Sequence, residues 1–202
     1  MKSLVGKNIV VFDCEIENDV ISWDRKDLMG FSVGCMFDYR DGDYKVFLKR
    51  DIQEMADRMN EADLVVGFNI LGFDNELIQA QGGHLNTDTT QRSWDILYHS
   101  RRSIGWDVGK QFPKGMRLDD HLLATFGKDF VKTDDGALAP KMWRDGKHSK
   151  VISYCLADVR REKMLFEHIL RHGSASTGLH GERKFDLSHI NKVLLGDPCS
   201  AI

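Results

Sequence analysis

The stretch Val10-Val11-Phe12-Asp13-Cys14-Glu15 places two carboxylates at the end of a short apolar run. The run is typical of a β-strand, because valine and phenylalanine dominate it and polar residues bound it on both sides. Side chains alternate along a strand, so Asp13 and Glu15 should point to one side and Cys14 to the other. Two neighbouring carboxylates repel each other and resist desolvation unless a cation compensates them. The run is therefore either a cation-binding pair or the end of a strand that enters a polar loop.

The composition limits the class of protein. A chain of 202 residues that is 42% hydrophobic suits one domain over 1–202, in which 173–202 is expected to be a C-terminal extension. The formal net charge is −3, so binding to a polyanion would require local basic patches or bound metal ions. No apolar run approaches the roughly 18 residues of a membrane span, and the N-terminus leads into no signal-peptide core, which predicts a cytoplasmic protein without a membrane partner. The four cysteines form no Cys-x-x-Cys pair and are expected to be free thiols: Cys14, Cys35, Cys155 and Cys199.

Strand-like and helix-like segments alternate along the chain. Two further strands are predicted at 31–37 and 44–48, joined by a turn that contains Asp-Gly. The fully apolar run 64–68 is typical of a strand that is covered on both faces. Helices are predicted from about 52 to 59, 75 to 81, 118 to 126, 150 to 172 and 185 to 195. Strands interrupted by helices indicate an α/β domain with a mixed sheet, whereas residues 174–181 look flexible.

Two further carboxylates have an ambiguous setting. Tyr154 and Asp158 lie four residues apart on the long helix and share one face. Apolar neighbours place Asp158 beside the core, where an acidic residue needs a partner. That partner could be a metal ion, or Arg160 or Arg161 in a structural salt bridge. The role of Asp74 is equally ambiguous, because an aspartate before a helix is commonly a helix cap.

Taken together, three groups of residues occur in a fixed order: Asp13-Cys14-Glu15, Asn69-x-x-x-Phe73-Asp74 and Tyr154-x-x-x-Asp158. This set resembles the motifs of the DEDD superfamily of 3′–5′ exonucleases, in the branch that has tyrosine in the last motif. Those nucleases are ribonuclease H-like and include the proofreading domains of family B DNA polymerases. The stretch 65–77 is especially similar to the second motif, and 143–159 looks like stand-alone exonucleases related to the proofreading domain. The resemblance covers 10 to about 166 and implies an α/β fold with a ribonuclease H-like mixed β-sheet flanked by helices.

The resemblance also implies a metal-dependent chemistry. Phosphodiester hydrolysis needs a nucleophilic oxygen and charge stabilisation, which two divalent ions about 3.5–4 Å apart can supply. Oxygen ligands suit Mg²⁺ or Mn²⁺. In the family's arrangement, Asp13 would bridge both ions, Glu15 and Asp158 would complete one ion site, and Asp74 would hold the second ion through water. Tyr154 would orient the attacking water, since an ordinary tyrosine pKa of about 10 makes it a poor base at neutral pH.

The same resemblance implies contacts to the substrate strand. Ile16 and Glu17 would meet the terminal nucleotide, and Asn69 and Phe73 would approach the strand, although Phe73 also suits a core position. An ordinary solvent-exposed loop can also be rich in basic residues, so nine basic residues of this chain are only candidates for phosphate contacts: Arg101, Arg102, Lys110, Lys114, Arg117, Lys141, Arg144, Lys147 and Lys150. His168 and His172 have the spacing of a zinc pair, yet no third ligand is evident.

The leading hypothesis is a 3′–5′ exonuclease that acts on single-stranded DNA or RNA 3′ ends. Two alternatives are a catalytically silent nucleic-acid-binding module of the same fold and a related phosphodiesterase that trims oligonucleotides or cleaves internally. Residues 1–202 contain no polymerase or helicase region, so a proofreading role is expected to need a separate partner. The choice between DNA and RNA depends on contacts to the sugar 2′ position, which no local motif reveals.

Overall fold

The computed structural model describes residues 4–130 and 136–195 of the chain. The strands are β1 (Ile9–Glu15), β2 (Val33–Asp38), β3 (Asp43–Leu48), β4 (Leu64–Gly67), β5 (Ser93–Asp95), β6 (Ser174–Thr177) and β7 (Gly181–Lys184). The helices are α1 (Lys26–Met29), α2 (Ile52–Glu61), α3 (Asp74–Ala80), α4 (Thr87–Gln91), α5 (Ile96–Ser103), α6 (Leu118–Phe126), α7 (Ala139–Arg144), α8 (His148–His172) and α9 (Ser188–Leu195).

Strand β1 lies at the centre of a five-stranded sheet with the order β3-β2-β1-β4-β5. β1 is antiparallel to β2 and parallel to β4, while β2–β3 is antiparallel and β4–β5 is parallel. Three Cα pairs, Ile9 with Leu64, Val10 with Val65 and Val11 with Val66, fix β4 beside the apolar half of β1. The predicted α/β fold with a mixed sheet flanked by helices is confirmed, and it is consistent with the ribonuclease H-like fold that the resemblance implies.

The alternation along β1 divides the core into two clusters, one on each face of the sheet. Ile9 and Val11 belong to the cluster that α8 covers, and Val10 and Phe12 belong to the cluster that α2 and α3 cover. The side chains of Asp13 and Glu15 lie on the same face as those of Ile9 and Val11, nearer the C-terminal end of β1. The helix α8 therefore crosses directly over the two carboxylates of β1.

The longest helix has its boundary where the sequence predicts it. α8 ends at Gly173, which adopts a left-handed conformation with a φ of 69°. Glycine has no Cβ to oppose this conformation, so it commonly ends helices. None of the described helices is long and apolar enough to cross a membrane.

The expected flexibility of 174–181 is wrong for the described chain. β6 and β7 form an antiparallel hairpin, in which Ser174 pairs with Lys184 and Thr177 with Gly181. Ala175 and Phe185 are buried in the cluster that α8 covers. The last part of the predicted C-terminal extension, 196–202 with Cys199, lies outside the described residues. Within the described chain Cys14, Cys35 and Cys155 are buried free thiols.

Candidate active site

Three of the predicted carboxylates meet where α8 crosses β1. Oxygen atoms of Asp13, Glu15 and Asp158 all lie within 4.8 Å of one another. The Cys155 thiol donates a hydrogen bond to the backbone oxygen of Asp13 over 3.3 Å and ties α8 to the strand at this point. Because Asp158 lies one turn beyond Cys155, its side chain reaches the same opening as the β1 pair.

Asp74 joins the group from the opposite side of β1. It is the first residue of α3 and is buried, and its Oδ1 accepts a hydrogen bond from the backbone N–H of Cys14 over 3.2 Å. Cys14 lies between Asp13 and Glu15, so this bond attaches Asp74 to the strand that carries both. The side chain of Asp74 therefore bonds to β1, which a role as a helix cap alone would not require.

The burial and clustering of these carboxylates raise the pKa values of Asp13 and Asp74. Burial raises the pKa of Asp13 well above its ordinary value, and the negative charges of Glu162, Glu15, Asp74 and Asp158 raise it further. Burial likewise raises the pKa of Asp74 to about 7, although the Cys14 hydrogen bond opposes the shift. A cation in the cluster would favour the ionised forms and reverse both shifts.

The donor set fits a divalent cation. Oδ2 of Asp13 is buried and has no hydrogen-bond partner within residues 4–130 and 136–195, which is costly for a carboxylate oxygen. A metal ion held by Asp13, Glu15 and Asp158 would satisfy that oxygen. All the ligand atoms are oxygens, which Mg²⁺ and Mn²⁺ prefer over nitrogen or sulfur.

The structural ion pair that the sequence allowed for Asp158 is present. Its Oδ1 lies 3.1 Å from Nη1 of Arg161, so it forms the structural ion pair that the helix spacing allows. The same carboxylate contributes to the group with Asp13 and Glu15. Arg161 therefore supplies one positive charge at the edge of a cluster that remains strongly acidic.

The carboxylates open into a cleft of about 580 Å³. One wall is the loop that follows β1, and another comprises Gly136, Ala137 and Pro140 at the start of α7. Arg144 at the end of α7 joins these walls, because Nη1 donates to the backbone oxygen of Glu17 over 3.1 Å and Nη2 pairs with Asp19 over 2.7 Å. The cleft is thus bounded by elements far apart in sequence.

Tyr154 lines the cleft one turn before Asp158. A Cβ atom on Gly136 would overlap the Tyr154 hydroxyl, so residue 136 has room only for hydrogen beside that group. The chain therefore passes closely over the tyrosine and places its hydroxyl at the wall of the cleft.

Three of the four predicted substrate contacts line the same cleft. They are Ile16, Asn69 and Phe73, whereas Glu17 is not among the lining residues. The Glu17 carboxylate instead pairs with Lys49 over 3.0 Å. Phe73 lines the cleft with the exposed Trp23 ring edge-on at 5.8 Å, and it is also partly buried against the core cluster that α2 and α3 cover.

Two buried carboxylates near the site were not singled out by the sequence. Glu162 lies one turn after Asp158 and is close enough to raise the pKa of Asp13. The i, i+4 spacing from Asp158 was a signal that could have identified it. Asp95 ends β5, and its carboxylate accepts backbone hydrogen bonds from Asn69, Leu71, Leu97 and Tyr98 at 2.9 to 3.2 Å.

Asp95 explains the backbone of the second motif. Asn69 has a positive φ of 68°, which asparagine tolerates better than most residues. The bonds from the N–H groups of Asn69 and Leu71 to Asp95 hold this turn between β4 and α3. Asp95 thereby positions the loop that carries Phe73 and Asp74, without lining the cleft itself.

The histidine pair on α8 forms no metal cluster within the described chain. The rings of His168 and His172 lie 4.4 Å apart, and His168 packs edge-on against Phe126. The only group of three metal-ligating side chains found among residues 4–130 and 136–195 is Asp13, Glu15 and Asp158.

Comparisons with known proteins add a fold-level relation. No protein-family description matches the chain, and no curated protein matches it either. Among solved structures, the chain is similar to the family B DNA polymerase from the hyperthermophilic archaeon Pyrobaculum calidifontis, with a TM-score of 0.55 and 21% sequence identity. The match covers 80% of this chain but 24% of the polymerase chain. At this identity the similarity shows a shared fold.

Proposed function

We propose that the protein is a metal-dependent 3′–5′ exonuclease that hydrolyses phosphodiester bonds at the 3′ ends of single-stranded DNA or RNA. The observation that carries the proposal is the meeting of Asp13, Glu15 and Asp158 oxygens within 4.8 Å at the floor of a cleft. The similarity of the fold to a family B DNA polymerase supports it, because the sequence motifs resemble those of polymerase proofreading domains. The 3′–5′ polarity rests on that resemblance.

Each residue has a role that its position permits. Asp13, Glu15 and Asp158 would hold Mg²⁺ or Mn²⁺, and Asp74 would complete a second ion site. Two such ions, when bound, supply a nucleophilic oxygen at neutral pH and neutralise charge on the attacking and leaving oxygens. Tyr154 would orient the attacking water through its hydroxyl, which can donate and accept hydrogen bonds. Ile16, Asn69 and Phe73 would hold the last nucleotides against this site.

The walls of the cleft suit a single strand. Phe73 and Trp23 offer aromatic surface on which a base can stack, next to the carboxylates that would receive the backbone. A duplex terminus would have to separate before its end could enter between α7 and the loop after β1. We propose a polymerase or helicase as the kind of partner that delivers such an end.

Digestion of end-labelled strands tests the proposal. A 5′-labelled single strand with Mg²⁺ or Mn²⁺ should give a ladder that shortens stepwise, whereas a 3′-labelled strand should release its label at once. EDTA and Asp13→Asn should abolish both results. Binding without products would favour the silent module, and internal cuts from a circular strand would favour endonuclease action; either outcome would overturn the proposal.

A further inference from the structure

A second concavity adjoins the acidic cleft and shares Phe68 and Asn69 with it. Its volume is about 690 Å³, which lies in the range of ligand sites in proteins. The cations that line it are Arg101 on α5, Lys114 in the following loop and Arg117 before α6. This concavity, defined by those three residues, is termed the basic pocket.

Among the described residues, none of the three cations of the basic pocket forms an ion pair with a carboxylate, although the charge of Asp95 acts on Arg101. The one carboxylate that lines the pocket, Asp120, accepts the backbone N–H of Arg117 over 2.8 Å and caps α6. Many other cations of this acidic protein are paired: Arg25, Arg40, Arg58, Arg92, Arg144, Arg161, Lys141 and Lys147. A concentration of uncompensated positive charge in one concavity favours an anionic ligand.

Arg101 is held rigidly. The Cζ atom of its guanidinium lies 4.1 Å from the centroid of the Phe112 ring and 5.6 Å from that of Trp106. Its Nε is buried and has no hydrogen-bond partner in the described part of the chain. A guanidinium packed against the stacked rings of Phe112 and Trp106 loses little freedom when it binds an anion, and it suits the planar geometry of a phosphate contact.

The aromatic surroundings distinguish between anions. Phe112 stacks on Trp106 at 5.6 Å, yet its side chain remains 62% exposed beside the pocket. A free phosphate ion gains nothing from such a ring. A nucleic-acid single strand offers both a phosphate for the cations and a base for the ring, a combination typical of single-strand binding surfaces.

We propose that the basic pocket binds the phosphodiester backbone of a single strand, on the 5′ side of the bond that the acidic cleft would cleave. The strand would pass Phe68 and Asn69, the two residues common to both concavities, and a base would stack on Phe112. This inference rests on the proposed function only for the position of the 3′ end. It implies that affinity grows with strand length beyond the nucleotides held in the acidic cleft.

Equilibrium binding in EDTA tests the inference without hydrolysis. The probes are a fluorescently labelled dinucleotide and dodecanucleotide of the same base composition. The test protein is Lys114→Gln/Arg117→Gln, in which both substituted residues are exposed. The matched control is Lys184→Gln/Lys192→Gln, which removes the same charge from two exposed residues that line neither concavity. Circular dichroism confirms that each variant is folded.

The expected result is specific to the long strand and to the pocket. The pocket variant should bind the dodecanucleotide about 10-fold more weakly at low salt, and the slope of log K against log salt should fall by about 1.4 units for two lost phosphate contacts on a single strand. Dinucleotide affinity and the control variant should stay within about twofold of the wild type, since neither changes a pocket contact. Phe112→Leu should weaken dodecanucleotide binding by about 5-fold or more while keeping the salt slope.

Several outcomes would overturn the inference. Equal losses for the two probes, no loss for either, or the same loss in the control would show that the basic pocket does not contact the longer strand. A loss seen only with a 5′-phosphorylated dinucleotide would assign the pocket to a terminal phosphate. Failure of the proposed function can be distinguished from failure of this inference. If the strand binds through the pocket but is never hydrolysed with Mg²⁺, the exonuclease proposal is contradicted and the pocket proposal stands.

Discussion

At the scale of single residues, the candidate site depends on how closely the chain approaches Tyr154. Gly136 leaves no space for a side chain between itself and the tyrosine hydroxyl. Tyr154 and Gly136 come from opposite sides of 131–135, and both line the cleft. The hydroxyl position is therefore set by a glycine that carries no chemistry of its own.

Gly136→Ala should move the Tyr154 hydroxyl and lower kcat by about 100-fold, the effect of an ångström-scale misplacement of a positioning group. Tyr154→Phe should cause a loss of similar size. The double variant should be no slower than Tyr154→Phe, because the two changes remove the same interaction. Single-turnover hydrolysis of a 5′-labelled strand measures all three, and additive losses would contradict this assignment.

The residue types and spacing predict much of the site, for a physical reason. Alternation along a strand placed Asp13 and Glu15 together, and helical periodicity placed Tyr154 one turn from Asp158. The sequence could not show that Glu17 pairs with Lys49, since such a contact depends on how a loop meets β3. Nor could it reveal Gly136, whose importance comes from tertiary proximity.

At the scale of elements, the turn from β4 to α3 positions the second motif. Asp95 holds this turn by accepting the N–H groups of Asn69 and Leu71, and it also caps α5 through Leu97 and Tyr98. One buried carboxylate thus links β5, α5 and the turn. This link could not be predicted from the sequence, because an aspartate that follows a strand suits a helix cap as readily as a link between segments.

Asp95→Asn should weaken both stability and activity. The amide nitrogen cannot accept the Leu71 N–H, so one buried donor loses its partner at a cost of about 1–3 kcal/mol. For a domain of this length that corresponds to a fall in Tm of about 2–12 °C. The loop that carries Asn69 and Asp74 should shift, which raises KM along with the loss in kcat.

The control is Asp88→Asn, since Asp88 is exposed and, among the described residues, its carboxylate pairs only with Arg92 at the end of α4. It should change Tm by less than about 2 °C, as expected for a surface ion pair. Thermal unfolding and steady-state kinetics measure both variants. A wild-type KM and Tm in Asp95→Asn would show that the turn keeps its shape without this carboxylate.

The hairpin β6–β7 illustrates where local patterns fail. Its residues include Gly, Ser, Thr and His without apolar alternation, which is typical of a flexible segment. The hairpin forms because Ala175 and Phe185 pack into the α8 side of the core and Thr125 exchanges hydrogen bonds with Ser176. The hydrogen bonds between Thr125 and Ser176 span 51 residues, so no short window of sequence contains them.

At the scale of the whole molecule, the core stability must offset a buried cluster of like charges. The pKa of Asp74 is raised to about 7, so the folded protein binds its proton more tightly than the unfolded chain does. The contribution of Asp74 to the free energy of unfolding is largest below about pH 4, and it is lost as the pH rises through about 7. The metal-free protein is therefore destabilised at this site near neutral pH.

Asp74→Asn should raise the Tm of the metal-free protein at about pH 8 but leave it nearly unchanged at about pH 4.5. The amide oxygen can still accept the Cys14 N–H, so the hydrogen bond to β1 is kept. Two histidines, His99 and His121, have pKa values that burial lowers, so they also make the stability depend on pH. Their contribution is the same in the variant and the wild type and cancels when the two are compared at each pH. Differential scanning calorimetry in EDTA gives both values, and a gain independent of pH would contradict the cause assigned to it.

The central claim is that the clustered carboxylates bind a pair of divalent ions. Electron paramagnetic resonance titration with Mn²⁺, in the presence of a nucleoside monophosphate, counts those ions directly. Wild type should bind two Mn²⁺ per chain, and Asp13→Asn should lose both strong sites while remaining folded, since Asp13 would bridge them. Strong Mn²⁺ binding that is unchanged in Asp13→Asn, or no binding by the wild type, would contradict the account.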